Sequence, residues 1–365
     1  MNFKNILVLN YLLIFIIILL TIIGTAALYS AADGSFYPWA MRHLIRFGVL
    51  FFVMILIAMI DIKIIFKYSY VIFFLCLLLL FSVEIIGTFG KGAERWIKVF
   101  GISIQPSEII KISIILALAK YYHSIKFENI GHLGHLILPI LVIVVPFFLV
   151  VMQPDLGTSF SIFLLGIMIM FIAGVRIWKF ILGICISVFF LPFLWNYIQP
   201  YQQKRITSFL NPESDPLGQG YQLIQSKIAL GSGGLLGKGF LEGTQSYLEY
   251  LPEKQTDFIF TLIGEEFGFL GTIFILILFG LLILISFYIS IKSFNVFGKI
   301  ISLGIASNLF LYVVLNMTMV VGLMPVVGIP LPLISYGGTA MLSLMISFGL
   351  LLNVDIHYNI KKINY

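Results

Sequence analysis

Apolar runs of about 20 residues, each long enough to cross a hydrocarbon core about 30 Å thick as a helix, recur along almost the whole chain. They predict helices over 7–29, 44–62, 68–88, 106–123, 135–152, 157–174, 178–199, 256–290, 300–322 and 334–353. Between Lys299 and Asp355 lie 55 uncharged residues, too many for one span, and the cluster of Pro325, Pro330, Pro332, Gly337 and Gly338 divides them. One polar interval breaks the pattern: residues 204–266 carry five Lys/Arg and eight Asp/Glu. The expectation is an all-α polytopic membrane protein of about ten transmembrane helices, one domain over 1–365. A long extracytoplasmic loop at about 200–255 joins helices 7 and 8.

Composition sharpens this picture. Charged residues make up 10% of the chain, against roughly 25% in soluble domains. The net charge of +6 is spread over short loops between apolar runs, which excludes a nucleic-acid surface and suits topology signals. Residues 5–32 carry no charge, too long for a signal-peptide core of about 7–15 residues, so an uncleaved first span is expected. Cys76 and Cys185 fall inside apolar runs and support neither a disulfide nor a metal site.

With both termini cytoplasmic, eleven Lys/Arg fall on that face and five in the short loops opposite: Arg42, Arg46, Lys91, Arg95 and Lys98. This bias puts the long polar stretch outside. The five are placed against it, and an anionic ligand handled at the outer face would supply a reason.

Candidate chemistry sits where polar residues meet the apolar runs. In 90–111 (GKGAERWIKVFGISIQPSEIIK), Arg95 and Lys98 offer donors and Pro106 opens a helix with Glu108 in its first turn. Glu108 and Lys111, three positions apart, can pair on one face. They either tether helices or line an internal cavity, since an ionisable residue inside a span is costly. Asp155, in the turn 153–159 (QPDLGTS), is a candidate ligand for a cation or a sugar hydroxyl.

The glycine-rich stretch 231–239 (GSGGLLGKG) is not a nucleotide P-loop, because Phe240 follows and no strand precedes it. It remains a candidate to approach a lipid-linked diphosphate, with Lys238 near its end. Lys254 and Asp257 follow in LPEKQTDF. Thr256 is the expected N-cap, putting Asp257 in the first turn. A helix over 256–290 would be about 52 Å long, so its polar start should project outward or line a wet cavity, with Gly264, Gly268 and Gly271 as places to bend. The segment 324–338 (MPVVGIPLPLISYGG) is non-helical backbone at membrane depth, which needs protein or a cavity around it.

Together GAERWIKV, QPSEIIK, QPDLGTS, RITSFLNPESDPLGQGYQLIQSKIALGSGGLLGKGF, LPEKQTDFIFTLIGEEFG and PLPLISYGG resemble the SEDS family (shape, elongation, division and sporulation proteins), most of all its elongation members. The resemblance implies a ten-helix enzyme of the bacterial cytoplasmic membrane that polymerises lipid II, an undecaprenyl-diphosphate-linked substrate, during cell elongation and shape maintenance. It also implies a class B penicillin-binding protein and the elongation machinery as partners.

By this resemblance Asp257 is the catalytic carboxylate, with Arg95, Glu108, Lys111, Asp155, Lys238 and Lys254 as substrate-binding or cavity residues. A divalent cation, Mg or Mn, is an expected helper, with Asp257 and Asp155 as its candidate ligands. Gln255 departs from the family's frequent His and cannot titrate in its place. A lipid II flippase and a non-catalytic scaffold for the penicillin-binding protein are the alternative readings.

Overall fold

The computed structural model describes residues 9–90, 93–99, 102–194, 200–214, 218–247 and 253–363. Lys4, Lys91, Asp215, Pro216, Leu251 and Pro252 lie outside them. The first seven predicted spans are α1 (Tyr11–Ala31), α2 (Trp39–Ala58), α3 (Ile62–Ile86), α4 (Pro106–Ser124), α5 (Leu133–Met152), α6 (Leu156–Ala173) and α7 (Ile177–Leu194). Starts follow local chemistry. Asp61 caps α3 by accepting from the Lys63 amide at 2.9 Å, and Pro106 opens α4 with Glu108 in its first turn.

The long polar interval is not a bare loop. It folds into α8 (Pro200–Leu210), α9 (Gln219–Ser232) and the short α10 (Thr244–Tyr247). Helix α9 is held because it packs on the next two spans and buries Leu223 and Ala229. Those spans are α11 (Ile259–Lys292) and α12 (Val296–Val321), and α13 (Gly338–Ile363) closes the chain. Eight of the helices are long and apolar enough to span a membrane. The shortfall from ten lies in α4, which carries Glu108, Lys111 and Lys120, and in α7, whose qualifying apolar segment is only Ile177–Ile186.

Three strands form a small antiparallel sheet that the sequence pattern missed: β1 (Thr88–Gly90), β2 (Ala93–Val99) and β3 (Ile102–Ile104), in that order. β1 and β3 are too short to show an alternation, and AERWIKV of β2 does not alternate strictly between apolar and polar residues.

The start of α11 also differs from expectation. Thr256 does not cap it, because its hydroxyl donates to the Glu253 carbonyl (3.3 Å) and carboxylate (3.1 Å). The helix begins at Ile259 with Phe258 as N-cap, so Asp257 sits in the turn before it. Helix α11 then runs 34 residues, about 51 Å. It breaks at Gly268 (φ 63°, ψ −161°), a conformation open in practice to glycine alone.

Helices α12 and α13 are the most enclosed spans. Helix α12 packs against α4, α6 and α11, and α13 against α2. Within the irregular segment 322–337 between them, residues 331–335 are buried, whereas Leu323 and Gly328 are exposed. A Cβ on Gly157 would stand 2.3 Å from the Val327 carbonyl oxygen, so only glycine lets the α6 N-terminus approach so closely.

Candidate active site

Asp257 is carried on a turn whose backbone is tied down at three successive carbonyls. The Tyr336 amide donates to the Gln255 carbonyl at 2.9 Å. The Ser335 hydroxyl donates to the Thr256 carbonyl at 2.6 Å. The Asn316 side-chain amide donates to the Asp257 carbonyl at 2.9 Å and to the Ile329 carbonyl at 2.8 Å. Asn316 is fully buried in α12, so one side chain locks the turn to the proline-rich segment. Ser335 also accepts from the Leu331 amide at 2.7 Å, closing that segment on itself.

The Asp257 side chain is half-buried. Its Oδ2 lies 3.4 Å from where a Cβ on Gly328 (φ 74°) would stand. Further along, the Arg205 guanidinium donates to the Val326 carbonyl at 3.2 Å. Arg205, Ser208, Phe209, Leu223, Pro325 and Val326 line a pocket of about 170 Å³, open mouth included.

A second group gathers at the same end of the bundle. Asp155 caps α6, accepting from the Thr158 amide at 3.3 Å and hydroxyl at 3.0 Å. Its other partners are the Gln105 amide at 3.0 Å and Arg95, whose guanidinium lies 3.8 Å away. Arg95 further donates to the Gln153 and Pro154 carbonyls. The carboxylate is buried and held on both oxygens by protein donors. Among the described residues no three His, Cys, Asp or Glu side chains gather into a metal shell. Lys98 is exposed on β2.

Glu108 and Lys111 form a third group, a closed triad inside the bundle. Lys111 donates to Glu108 at 2.9 Å and also meets Tyr312, whose hydroxyl donates to Glu108. All three side chains are buried. The Ser343 hydroxyl donates to the Glu108 carbonyl at 2.9 Å, joining α4, α12 and α13 through one polar knot. The geometry is that of a tether, one of the two readings left open for this i, i+3 pair.

Two further acids, Glu265 and Glu266 near the start of α11, are buried. Lys238 pairs with Glu265 at 2.7 Å, and Glu265 also accepts from the Gln245 amide at 2.9 Å and the Thr244 hydroxyl at 3.2 Å. Glu266 accepts from Ser30 of α1. The glycine-rich stretch is built into the α11 break. The Lys238 and Gly239 amides donate to the Glu265 and Glu266 carbonyls, and the Phe269 and Leu270 amides to the Gly234 and Leu235 carbonyls. Lys254 faces Asp33 at 3.4 Å.

The structure thus brings Arg95 together with Asp155, and Glu108 with Lys111, while Lys238 and Lys254 take other partners. Sequence reasoning missed Asn316, Ser335, Gln105 and Tyr312. The readable signal for Asn316 was an amide deep in a charge-free run, where a polar side chain needs a purpose, a signal it shares with Asn308 and Asn353.

The chain matches the FtsW/RodA/SpoVE family of cell cycle proteins over residues 4–360. It is 38% identical over 345 residues to the peptidoglycan glycosyltransferase MrdB of Escherichia coli (strain K12), an alignment covering 94% of this chain and 92% of that one. In fold it is similar to the rod shape determining protein RodA of Thermus thermophilus, with a TM-score of 0.72, 25% identity and coverage of 95% and 96%. A TM-score of 0.82 with 30% identity, covering 95% and 97%, relates it to a chain from a structure described as the structural coordination of polymerization and crosslinking by a peptidoglycan synthase complex.

Proposed function

The chain belongs to the FtsW/RodA/SpoVE family of cell cycle proteins, and from that premise we propose that Asp257 is the carboxylate on which its reaction turns. It is a multi-pass membrane enzyme, a peptidoglycan glycosyltransferase acting in cell elongation. In the proposed chemistry the substrate is lipid II. Asp257 takes the proton from the acceptor sugar's 4-hydroxyl, and that oxygen bonds to C1 of the lipid-linked donor. The C1–oxygen bond to the diphosphate breaks with inversion, and its electron pair leaves with undecaprenyl diphosphate.

The observation that carries this reading is the contrast in fate among the acids at this end of the bundle. Asp155, Glu265 and Glu266 are buried in contacts with protein donors, whereas Asp257 is half-buried on a turn fixed by Tyr336, Ser335 and Asn316. A base must be both held and reachable. Base catalysis supplies about 10²–10⁴-fold, so positioning and charge neutralisation at the leaving group must supply the rest.

A divalent cation shared by Asp257 and Asp155 does not fit the donor set, because both Asp155 oxygens already face Gln105, Thr158 and Arg95. The Lys/Arg distribution supports cytoplasmic termini with Asp257 on the outer side. We take the partner to be a crosslinking penicillin-binding protein, in keeping with the polymerization-and-crosslinking complex of the structural relative.

The test is polymerisation of lipid II by purified protein, alone and with that partner. Glycan strands from wild type and none from Asp257→Asn are expected, with expression and monodispersity unchanged. A flippase would move lipid II without making polymer. A scaffold would let Asp257→Asn cells keep their shape.

A further inference from the structure

In the proposed reaction a diphosphate leaves beside Asp257, and four of the cations singled out from the sequence are already engaged, while Lys98 is exposed on β2. Arg95 faces Asp155, Lys111 pairs with Glu108, Lys238 with Glu265 and Lys254 with Asp33. Each of these charges is offset within the protein, so a dianionic leaving group would have to compete for it. Arg42 and Arg46 differ. They stand four positions apart on the first two turns of α2, and neither pairs with a carboxylate among the described residues.

Their contacts are aromatic instead. The Arg42 guanidinium donates to the Tyr37 hydroxyl at 2.9 Å and also faces the Tyr336 hydroxyl. The Arg46 guanidinium stacks over the Tyr336 ring, 4.7 Å from its centroid. Tyr336 is the residue whose amide holds the Gln255 carbonyl, two positions before Asp257. Next along, Gly338 lets the Arg46 guanidinium lie 3.3 Å from its would-be Cβ. Like charges one turn apart repel, and stacking keeps their forks presented while satisfying no charge.

The rest of this helix face is apolar. Ile45, Val49, Phe52 and Leu56 are exposed and run from the arginines into the span. An amphiphile with a phosphate head and a hydrocarbon tail matches that layout, head at the first two turns and tail along the stripe.

We propose that Arg42 and Arg46, framed by Tyr37 and Tyr336, form the site that takes the diphosphate of the lipid-linked donor and neutralises it as it leaves. This rests on reading Asp257 as the reacting carboxylate. As the C1–oxygen bond breaks, the electron pair settles on the diphosphate oxygen, and the two planar forks meet that charge bidentately.

The test uses full-length protein in nanodiscs, with undecaprenyl diphosphate, undecaprenyl monophosphate and phosphatidylglycerol as probes, and measures lipid II polymerisation in parallel. Wild type should prefer the diphosphate. Arg42→Met/Arg46→Met should bind it at least tenfold more weakly and lose about 10²-fold in kcat/KM, the scale of removing a charge-stabilising donor. The Lys double variant, which keeps charge but loses the fork, should fall between, and it serves if the Met pair does not fold. Asp257→Asn should bind the diphosphate like wild type while failing to polymerise. Unchanged diphosphate affinity in both Arg double variants overturns the site, as does phosphatidylglycerol competing equally at equal concentration. An active Asp257→Asn enzyme overturns the base instead, whatever the binding data show.

Discussion

Two stretches of the polar interval meet α11, and they treat their acids in opposite ways. In 253–258 the backbone is fixed, with Asn316, Ser335 and Tyr336 holding three successive carbonyls, and Asp257 is half-buried. In 233–245 the backbone fills a broken helix and the acids are consumed: Glu265 and Glu266 are buried under Lys238, Thr244, Gln245 and Ser30. Charge density alone therefore does not mark which acid is reachable. What separates the two is depth: Glu265 and Glu266 are buried, whereas Asp257 is half-buried.

The sharpest way to break this comparison is to remove the Asp257 charge. Asp257→Asn should lower lipid II polymerisation by at least about 10²-fold. Because the turn is held through carbonyls, the melting temperature should not move. A variant that unfolds would mean that the carboxylate, like Glu265, is a structural group.

Next in size is the clamp. Asn316→Leu orphans two carbonyls, on Asp257 and Ile329, at about 1–3 kcal/mol for each one left buried and unpaired. Turnover should drop about tenfold or more as the turn loosens, with a lower melting temperature. Asn308, also buried in α12 but with its amide nitrogen unpaired, is the control: Asn308→Leu should cost far less of either. Equal losses at both positions would show that α12 tolerates no such change and that the clamp is not special.

Gly268→Ala strikes the other stretch. A Cβ there would meet the Gly237 amide nitrogen at 2.3 Å, at a φ that alanine resists. The strain is of order 1–3 kcal/mol, and the displaced glycine-rich stretch should unfold earlier on heating. Polymerisation at low temperature should fall only a fewfold, because the Asp257 turn hangs from α12 and the proline-rich segment.

Much of this was readable from residues. The ten apolar runs became helices, eight of which among the described residues have the length and hydropathy of a span, and the split at Pro325–Pro332 followed from proline chemistry. The motif that singles out Asp257 was readable, but the setting of that residue was not. Asn316 meets it across 59 positions of sequence, a pairing no local pattern encodes. The fate of Glu265 was hidden for a related reason. Its burial depends on the break at Gly268 admitting the glycine-rich stretch, and glycine marks a possible bend without saying what will fill it. The short sheet of β1, β2 and β3 escaped because two of its strands have three residues and the seven of β2 do not alternate strictly.

The smallest effect is the most discriminating between the two stretches. Glu265 is fully buried, while the Lys238 side chain that pairs with it is about a quarter exposed. Glu265→Gln removes a charge that burial disfavours, and its carbonyl oxygen can still accept from the Gln245 amide and the Thr244 hydroxyl. Lys238 then turns to water. Stability should change by less than about 1 kcal/mol and turnover by less than about twofold. Lys238→Met should cost more than Glu265→Gln, since it strands a buried carboxylate with only neutral donors, though solvent near Lys238 keeps the loss below the roughly 3–5 kcal/mol of a fully enclosed pair. That order, read by thermal unfolding, is the signature of an acid kept for structure. If Glu265→Gln instead silenced polymerisation as Asp257→Asn is expected to do, both acids would belong to the chemistry and the glycine-rich stretch would be part of the active site.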